Sequence, residues 1–368
     1  IHAASVGEIN SVFPLVDKLI KNDESLFILL TSTTLSSSQL IKKKNFDKRN
    51  FKHHFFTLDV QFLVNKFLNH WRPTLVIFVE SEVWPNYLME INKRKIPLML
   101  LNGRISVKTF RRWKFLNNFS KKLFSLYNLC LASSKESENN LKNLGAKNVK
   151  FIGNLKFCSK VSIEKKYSEL KTIFPNYFIW CAASTHPDEE EIILKSHFLI
   201  KQKGCKIITI IIPRHINRSK DIREISKKFK IQCQIINKFE DISDRSEILI
   251  INSIGELINY FHNCKSVFMG KSLAKKLIKV SGQNPIEPAK CGCKIYHGPY
   301  ISNFYEIYSF LKDKKIAYEI KDENELAENL IKDFDSVNNI NKKNIDELND
   351  YGERILKLTT AEVLKLRK

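Results

Sequence analysis

Short apolar runs alternate with amphipathic stretches along the whole chain. In the first half, runs at 26–31, 55–58, 74–79, 97–101, 129–132 and 149–152 read as strands. Helical periodicity lies between them, for example at 60–71, 85–95 and 134–144. Apolar strands alternating with amphipathic helices predict a parallel sheet with helices on both faces. The pattern lapses around 158–174, where Lys160, Glu164, Lys165, Lys166 and Glu169 crowd together. A second series follows at 177–183, 206–212, 248–251, 266–270, 294–297 and 317–320. The expected architecture is α/β: two doubly wound domains, 1–158 and 159–368, with a cleft between them. Residues 333–349 are polar and Asn-rich, and a last helix is expected at 353–366 within the second domain. No internal repeat of solenoid period is present.

Composition narrows the partners. Lys and Arg number 61 against 39 acids, a formal charge of +22, which points to an anionic partner. The lysines are dispersed, without the interleaved aromatics of a nucleic-acid face, so nucleic acid is not expected. No G-x-G-x-x-G follows a strand, which argues against a dinucleotide-dependent oxidoreductase. The eight cysteines are scattered and no CxxC occurs, so reduced thiols are expected rather than zinc or disulfides. No run of 18 apolar residues is long enough to span a membrane. The chain opens at Ile1, already in a strand-like run, and an upstream segment is expected.

Polar groups cluster at the strand ends, where such sheets bind ligands. In the first half, the stretch HAASVGE at 2–8 leads into a helix, and Glu8 falls in its first turn. Glu8 reads either as a helix-start residue stabilised by the helix dipole or as a general base. Glu80 and Glu82 follow a buried strand, a costly placement unless they are paired or used. Pro85 is expected at the first helical position. Arg104 suits a carboxylate or phosphate ligand, or an ion pair with Glu80 or Glu82. Lys156 ends the last strand of the first half.

In the second half, Ser184 and Thr185 either cap a helix or bind a ligand, and Pro213, Arg214 and His215 suit an anion. Ile254, Gly255 and Glu256 open a helix whose free N–H groups can hold phosphate. Gly270-Lys271-Ser272-Leu273 is a further strand-end turn. In the stretch 281–289, Asn284 is expected to cap a helix, with Pro285 at its first position and Ile286 and Glu287 following. Glu287 is placed to bridge two vicinal ribose hydroxyls.

Taken together, HAASVGE, ESEVWPN, NGRIS, GNLKF, ASTHP, PRH, the Gly-Glu-Leu turn and GQNPIEPA resemble the 3-deoxy-D-manno-octulosonic acid (Kdo) transferases of lipopolysaccharide inner-core synthesis, in order and spacing. The resemblance runs from Ile1 to about Leu311. It implies the GT-B glycosyltransferase fold, with two Rossmann-like domains and an interdomain cleft. It also implies inverting transfer of Kdo from CMP-Kdo to a lipid A precursor, at the cytoplasmic face of the bacterial inner membrane, by an enzyme carrying an N-terminal anchor. No metal or other cofactor is expected.

By the same resemblance Glu8 is the general base, and Glu80 and Lys156 stabilise the transition state. Ser184, Thr185, Pro213, Arg214, Ile254, Gly255, Glu256, Ser272, Asn284, Pro285, Ile286 and Glu287 bind the donor. Three features depart from the family pattern: Gly270-Lys271-Ser272 stands where a Gly-Gly-Ser turn is common, Gln283 stands for the usual histidine, and 275–279 is strongly basic. The alternative reading is another GT-B enzyme with a UDP-sugar donor.

Overall fold

The computed structural model describes residues 1–161, 170–253, 255–280, 282–336 and 342–367. The chain divides into two compact units, residues 1–160 with 349–368, and residues 161–348. The final twenty residues therefore cluster with the first unit, which corrects the expectation that the terminal helix belongs to the second domain.

The first unit contains β1 (Ile28–Ser32), β2 (Phe51–Phe55), β3 (Val76–Val79), β4 (Leu98–Gly103), β5 (Leu129–Ala132) and β6 (Val149–Phe151). Its helices are α1 (Val6–Asn22), α2 (Leu35–Lys44), α3 (Gln61–Trp71), α4 (Pro85–Lys93), α5 (Val107–Phe115), α6 (Asn117–Phe124) and α7 (Lys135–Asn143). β1 pairs with β2, and β3 to β6 pair in sequence, all in parallel. Residues 1–3 join the two sets. His2 bridges Thr31 of β1 and Phe78 of β3, with His2 N–H donating to the Ile77 carbonyl at 2.8 Å and Ala3 N–H to the Thr31 carbonyl at 3.0 Å. The layer thus runs β2, β1, residues 1–3, β3, β4, β5, β6. Strand order reverses at residues 1–3, because the chain leaves them for β1 on one side and later reaches β3 on the other. Every residue of β4 is buried, as expected for a parallel strand covered on both faces.

The second unit contains α8 (Leu170–Ile173), β7 (Phe178–Thr185), α9 (Glu189–Gln202), β8 (Ile207–Pro213), α10 (Ser219–Lys228), β9 (Cys233–Ile236), β10 (Ile248–Ile251), α11 (Leu257–Phe261), β11 (Ser266–Met269), α12 (Ile286–Lys290), β12 (Lys294–His297), α13 (Tyr305–Asp313), β13 (Ala317–Glu319) and α14 (Glu323–Asp335). Its seven parallel strands are ordered β13-β12-β11-β7-β8-β10-β9. The reversal falls at β7, between β8 and β11. Trp180, Ile211, Ile250 and Phe268 lie in its core beneath α9, α10 and α14.

The last helix, α15 (Lys342–Arg367), is longer than expected. Its Gly352 lies against the Phe157 carbonyl so closely that a Cβ would sit 2.2 Å from that oxygen. Lys150 pairs with Glu362 at 2.7 Å and Asp23 with Arg367 at 2.6 Å. The second strand, expected at 55–58, lies at Phe51–Phe55. β9 and α14 were not anticipated, while α2, α5 and α6 fall between the first-half strands, where helices were expected without stated bounds.

Candidate active site

In open α/β sheets, ligands bind beyond the carboxyl ends of the strands, where strand order reverses. In the first unit that position belongs to the segment following residues 1–3. Ser5 caps α1 from an extended backbone and its hydroxyl accepts from Glu8 N–H. The hydroxyl in turn donates to Glu8 Oε1 at 2.8 Å, and Ala4 N–H donates to Oε2 at 2.8 Å. Ser5 and Glu8 are spaced as in a capping box, but the return bond comes from Ala4 N–H and not from the cap's own N–H. The local bonds that start the helix also fix the carboxylate at the reversal.

The electrostatics set Glu8 apart from a plain cap. Burial, then the nearby Glu80 carboxylate, raise its pKa to about 7; the bonds from Ser5 and Ala4 oppose the shift, and Glu82 adds to it. Glu80 follows β3 with a left-handed backbone, φ 62°, a conformation that costs a non-glycine residue roughly 1–2 kcal/mol. Its N–H bonds the Leu101 carbonyl at 2.9 Å and its own carbonyl accepts from Arg104 N–H at 3.2 Å. Its side chain meets Lys156 Nζ at 2.5 Å, with both groups largely buried. Lys156 sits in the single 3-10 turn Leu155–Cys158 after β6, started by the Asn154 side chain accepting from Lys156 N–H at 3.0 Å. Asn102 Oδ1 holds the same turn through Leu155 N–H at 2.9 Å.

Glu82 accepts from the Trp84 indole at 2.7 Å and lies 3.4 Å from His2 Nε2. Burial lowers the His2 pKa, so its imidazole is neutral at pH 7. Pro85 takes the first helical position as expected. Among the described residues, then, the first unit brings Glu8, Glu80, Glu82 and Lys156 together.

The second unit repeats the logic at the ends of β7, β8 and β11. Thr185 is fully buried and its hydroxyl finds no partner among the described residues; nor, among them, does the His186 Nε2 atom. Ser184 is left-handed at φ 56°. Pro213 ends β8, and the exposed Arg214 follows it, its N–H donating to the Thr185 carbonyl at 3.0 Å. Gly270 follows β11 where only a glycine fits, since a Cβ would lie 2.5 Å from the Ser184 carbonyl.

Ser272 is already committed: it is buried, its hydroxyl donates to the Met269 carbonyl at 2.6 Å, and it accepts from Gly298 N–H at 2.9 Å. Glu256 Oε2 accepts from the Ser253 hydroxyl at 2.5 Å beside Gly255, which is left-handed at φ 93°. Ile254 lies outside the described residues. α12 begins at Ile286 with Pro285 in the capping position, one residue later than expected, and the Asn284 side chain accepts from Ile286 N–H at 3.2 Å. Glu287 lies one residue further on. Burial raises its pKa, and among the described residues no hydrogen-bond partner meets its carboxyl.

One residue that shapes these turns was not singled out. Glu189 is fully buried, and its carboxylate accepts from His186 and Lys271 N–H on Oε2 (3.1 and 2.7 Å) and from Ser272 and Leu273 N–H on Oε1 (2.8 and 2.9 Å). It ties the turn after β7 to the turn after β11. It stands in a run of four acids at 188–191, and nothing in that run marks which one turns inward.

The sequence profile of the 3-deoxy-D-manno-octulosonic-acid transferase (kdotransferase) family matches residues 1–159. The 3-deoxy-D-manno-octulosonic acid transferase of Haemophilus influenzae is 30% identical over 361 residues, covering 97% of this chain and 82% of that protein. The chain belongs to this transferase family. The Rickettsia bellii transferase is 31% identical with the same coverage. Solved structures give the fold, GT-B: the Neisseria meningitidis UDP-GlcNAc 2-epimerase superposes with a TM-score of 0.65 at 11% identity over 99% of this chain and 98% of that one. A glycosyltransferase from Rickettsia africae gives 0.62 at 11% identity over 100% and 96%. For a Kdo transferase, the Glu8 cluster supplies a carboxylate able to take a proton near neutral pH. Among the described residues no three His, Cys, Asp or Glu side chains gather as metal ligands.

Glu8→Gln should lower turnover roughly 10²-fold or more with little change in substrate binding. In the wild type, kcat/KM should rise with pH through about 7, as Glu8 loses its proton. Stability runs the other way. A carboxyl raised above its ordinary 4.5 favours the folded state below that value, and the contribution is lost as pH rises through 7. Melting curves should therefore show Glu8→Gln equal to wild type near pH 4, below the ordinary 4.5, and more stable at pH 8. Near-normal turnover in a well-folded variant would remove Glu8 from the chemistry.

Proposed function

We propose that this Kdo transferase moves Kdo from CMP-Kdo to a lipid A precursor, with inversion at the anomeric carbon, at the cytoplasmic face of the bacterial inner membrane. The observation that carries the reading is the raised pKa of the Glu8 carboxyl at the strand-order reversal of the first unit. Glu8 is held near a pKa of 7 by burial and by Glu80, and the half-buried Glu287 carboxyl meets no hydrogen-bond partner among the described residues, which suits a group that takes two ribose hydroxyls.

An acceptor hydroxyl attacks the anomeric carbon and passes its proton to Glu8 as the new C–O bond forms. The bond from that carbon to the phosphate oxygen breaks with its electron pair, and CMP departs as an anion. A base whose pKa lies near the working pH is well placed for the first step, worth roughly 10²–10⁴-fold. Lys156, locked to Glu80, offers fixed positive charge for the transition state. Arg214 and the backbone turn at Gly255 serve the leaving phosphate without a metal.

The lipid side rests on charge and exposed apolar surface. No Asp or Glu occurs between 91 and 135, while Lys108, Arg111, Arg112, Lys114, Lys121 and Lys122 do. α5 buries none of its residues; Phe115 is 88% exposed, and Val107, Leu116 and Phe119 are exposed beside it. A basic helix with outward aromatics suits an anionic bilayer surface, where each cation contributes about 1 kcal/mol. No helix among the described residues is long and apolar enough to cross a membrane.

Mass spectrometry of the lipid formed from CMP-Kdo and lipid A precursor tests the reaction. The expected result is a mass gain of Kdo units, undiminished by a chelator. Turnover only with UDP-sugars would overturn the donor, and a strict magnesium requirement would overturn the metal-free step.

Vesicle pelleting tests the surface. Binding to phosphatidylglycerol vesicles should weaken as salt rises and fall in Phe115→Ser. Equal binding to neutral vesicles at every salt would contradict the electrostatic attachment.

A further inference from the structure

The turns after β7, β8 and β11 gather more positive charge than the protein neutralises. His186 and His215 lie with ring centroids 5.9 Å apart. The His186 pKa falls to about 4, first through burial and then through the positive charge of Lys271, His215, Arg214 and Arg218. The imidazole is therefore a neutral hydrogen-bonding group, and the cations around it are Lys271, Arg214 and Arg218.

Every acid in the neighbouring stretch is engaged. Asp188 pairs with Lys276 at 3.0 Å. Glu189 is saturated by four backbone N–H groups. Glu190, fully buried, takes Arg218 on both oxygens, and Glu191 sits 3.4 Å from Lys195. Arg218 is thereby neutralised, whereas Lys271 and Arg214 have no ion-pair partner among the described residues. Lys271 is half-buried, and its ammonium is disfavoured by burial and then by Arg214.

The backbone holds Lys271 in that position. It is left-handed, φ 61°, in a conformation a glycine would adopt without strain. Its N–H is clamped by Glu189 at 2.7 Å and its carbonyl by Gly282 N–H at 2.7 Å. A lysine kept in a glycine conformation, half-buried beside an unpaired arginine, is doubly unfavourable without a ligand, and such local conflicts mark functional positions.

We propose that Lys271 is a ligand of the donor and takes the carboxylate of its sugar, while Arg214 takes the phosphate. This rests on the CMP-Kdo reading above. That donor carries two separate anions, a phosphodiester and the carboxylate of an ulosonic acid, and two unpaired cations match them. The guanidinium fork fits phosphate oxygens in pairs, and a lysine supplies the second, point-like charge. Lys271 is thus a specificity residue: it distinguishes a donor whose sugar is an acid from one whose sugar is neutral, and Glu189 is its positioning residue.

The test compares Lys271→Gly, which suits the backbone, with Lys271→Arg, which keeps the charge. The probes are KM for CMP-Kdo and the inhibition constant of CMP, which has the phosphate but no sugar carboxylate. Lys271→Gly should raise KM for CMP-Kdo roughly 10-fold or more, leave CMP inhibition within about twofold of wild type, and melt no lower than wild type. Lys271→Arg should recover most of the lost affinity. A parallel loss of CMP affinity would place Lys271 on the phosphate and overturn the assignment, as would an unchanged KM. If the wild type neither turns over CMP-Kdo nor binds CMP, the donor reading itself fails, and this proposal with it; a failure confined to Lys271→Gly leaves that reading standing.

Discussion

Residues 1–3 are hydrogen-bonded on both sides, to β1 through Thr31 and to β3 through Ile77 and Val79, and the first unit depends on that double pairing. Without it the layer is two separate sheets, β1 with β2 and β3 through β6. With it, the strand order reverses at one place and α1 must start there. Ser5 caps the helix and Glu8 closes the cap, so a requirement of helix initiation delivers a carboxylate to the carboxyl end of the sheet. Glu80 arrives at the same place because β3 lies beside residues 1–3. The like charges that result are unfavourable as structure, and Glu8 relaxes by holding its proton up to about pH 7.

The second unit shows the opposite imbalance. A buried carboxylate, Glu189, is spent entirely on backbone N–H groups, and a second, Glu190, on Arg218. These bonds shape the turns after β7, β8 and β11 and leave Arg214 and Lys271 without an ion-pair partner among the described residues. One unit therefore keeps a surplus of carboxylates and the other a surplus of cations, each at the reversal of its own sheet. A proton acceptor and an anion pocket are what transfer of an acidic sugar from a nucleotide needs. Neither imbalance benefits folding, because charges left partly buried without partners cost free energy.

Much of this was legible beforehand. The buried parallel strands are continuous apolar runs, and β5, β10 and β12 lie where their runs end. Edges were harder. β2 reads FKHHF, with only Phe51 buried, so its polarity hid it and moved the expectation onto the apolar residues that follow. β9 is a four-residue edge strand with one buried side chain. The asparagines before 350 concealed the first turns of α15, although Leu348 and Ile355 keep a helical spacing and are buried.

Among site residues, Glu8, Glu80 and Lys156 were placed from motif order; that Glu80 and Lys156 bond to each other was not foreseen. Ser272 was expected to face a ligand, yet its hydroxyl is taken up by Met269, one turn back, and by the distant Gly298 N–H, a bond that leaves no local signature. Glu189 was hidden among three other acids for the same reason: only the packed fold decides which one meets the turn after β11.

The account turns on Glu8 being a poised base because of where it is buried and what lies beside it. A carbon-13 NMR titration of the Glu8 side-chain carboxyl, assigned by its loss in Glu8→Gln, measures this directly. The account expects a midpoint near 7 in the wild type, and a lower midpoint in Glu80→Gln, where the neighbouring charge is gone. A midpoint near the ordinary 4.5 in the wild type, unmoved by Glu80→Gln, would contradict it.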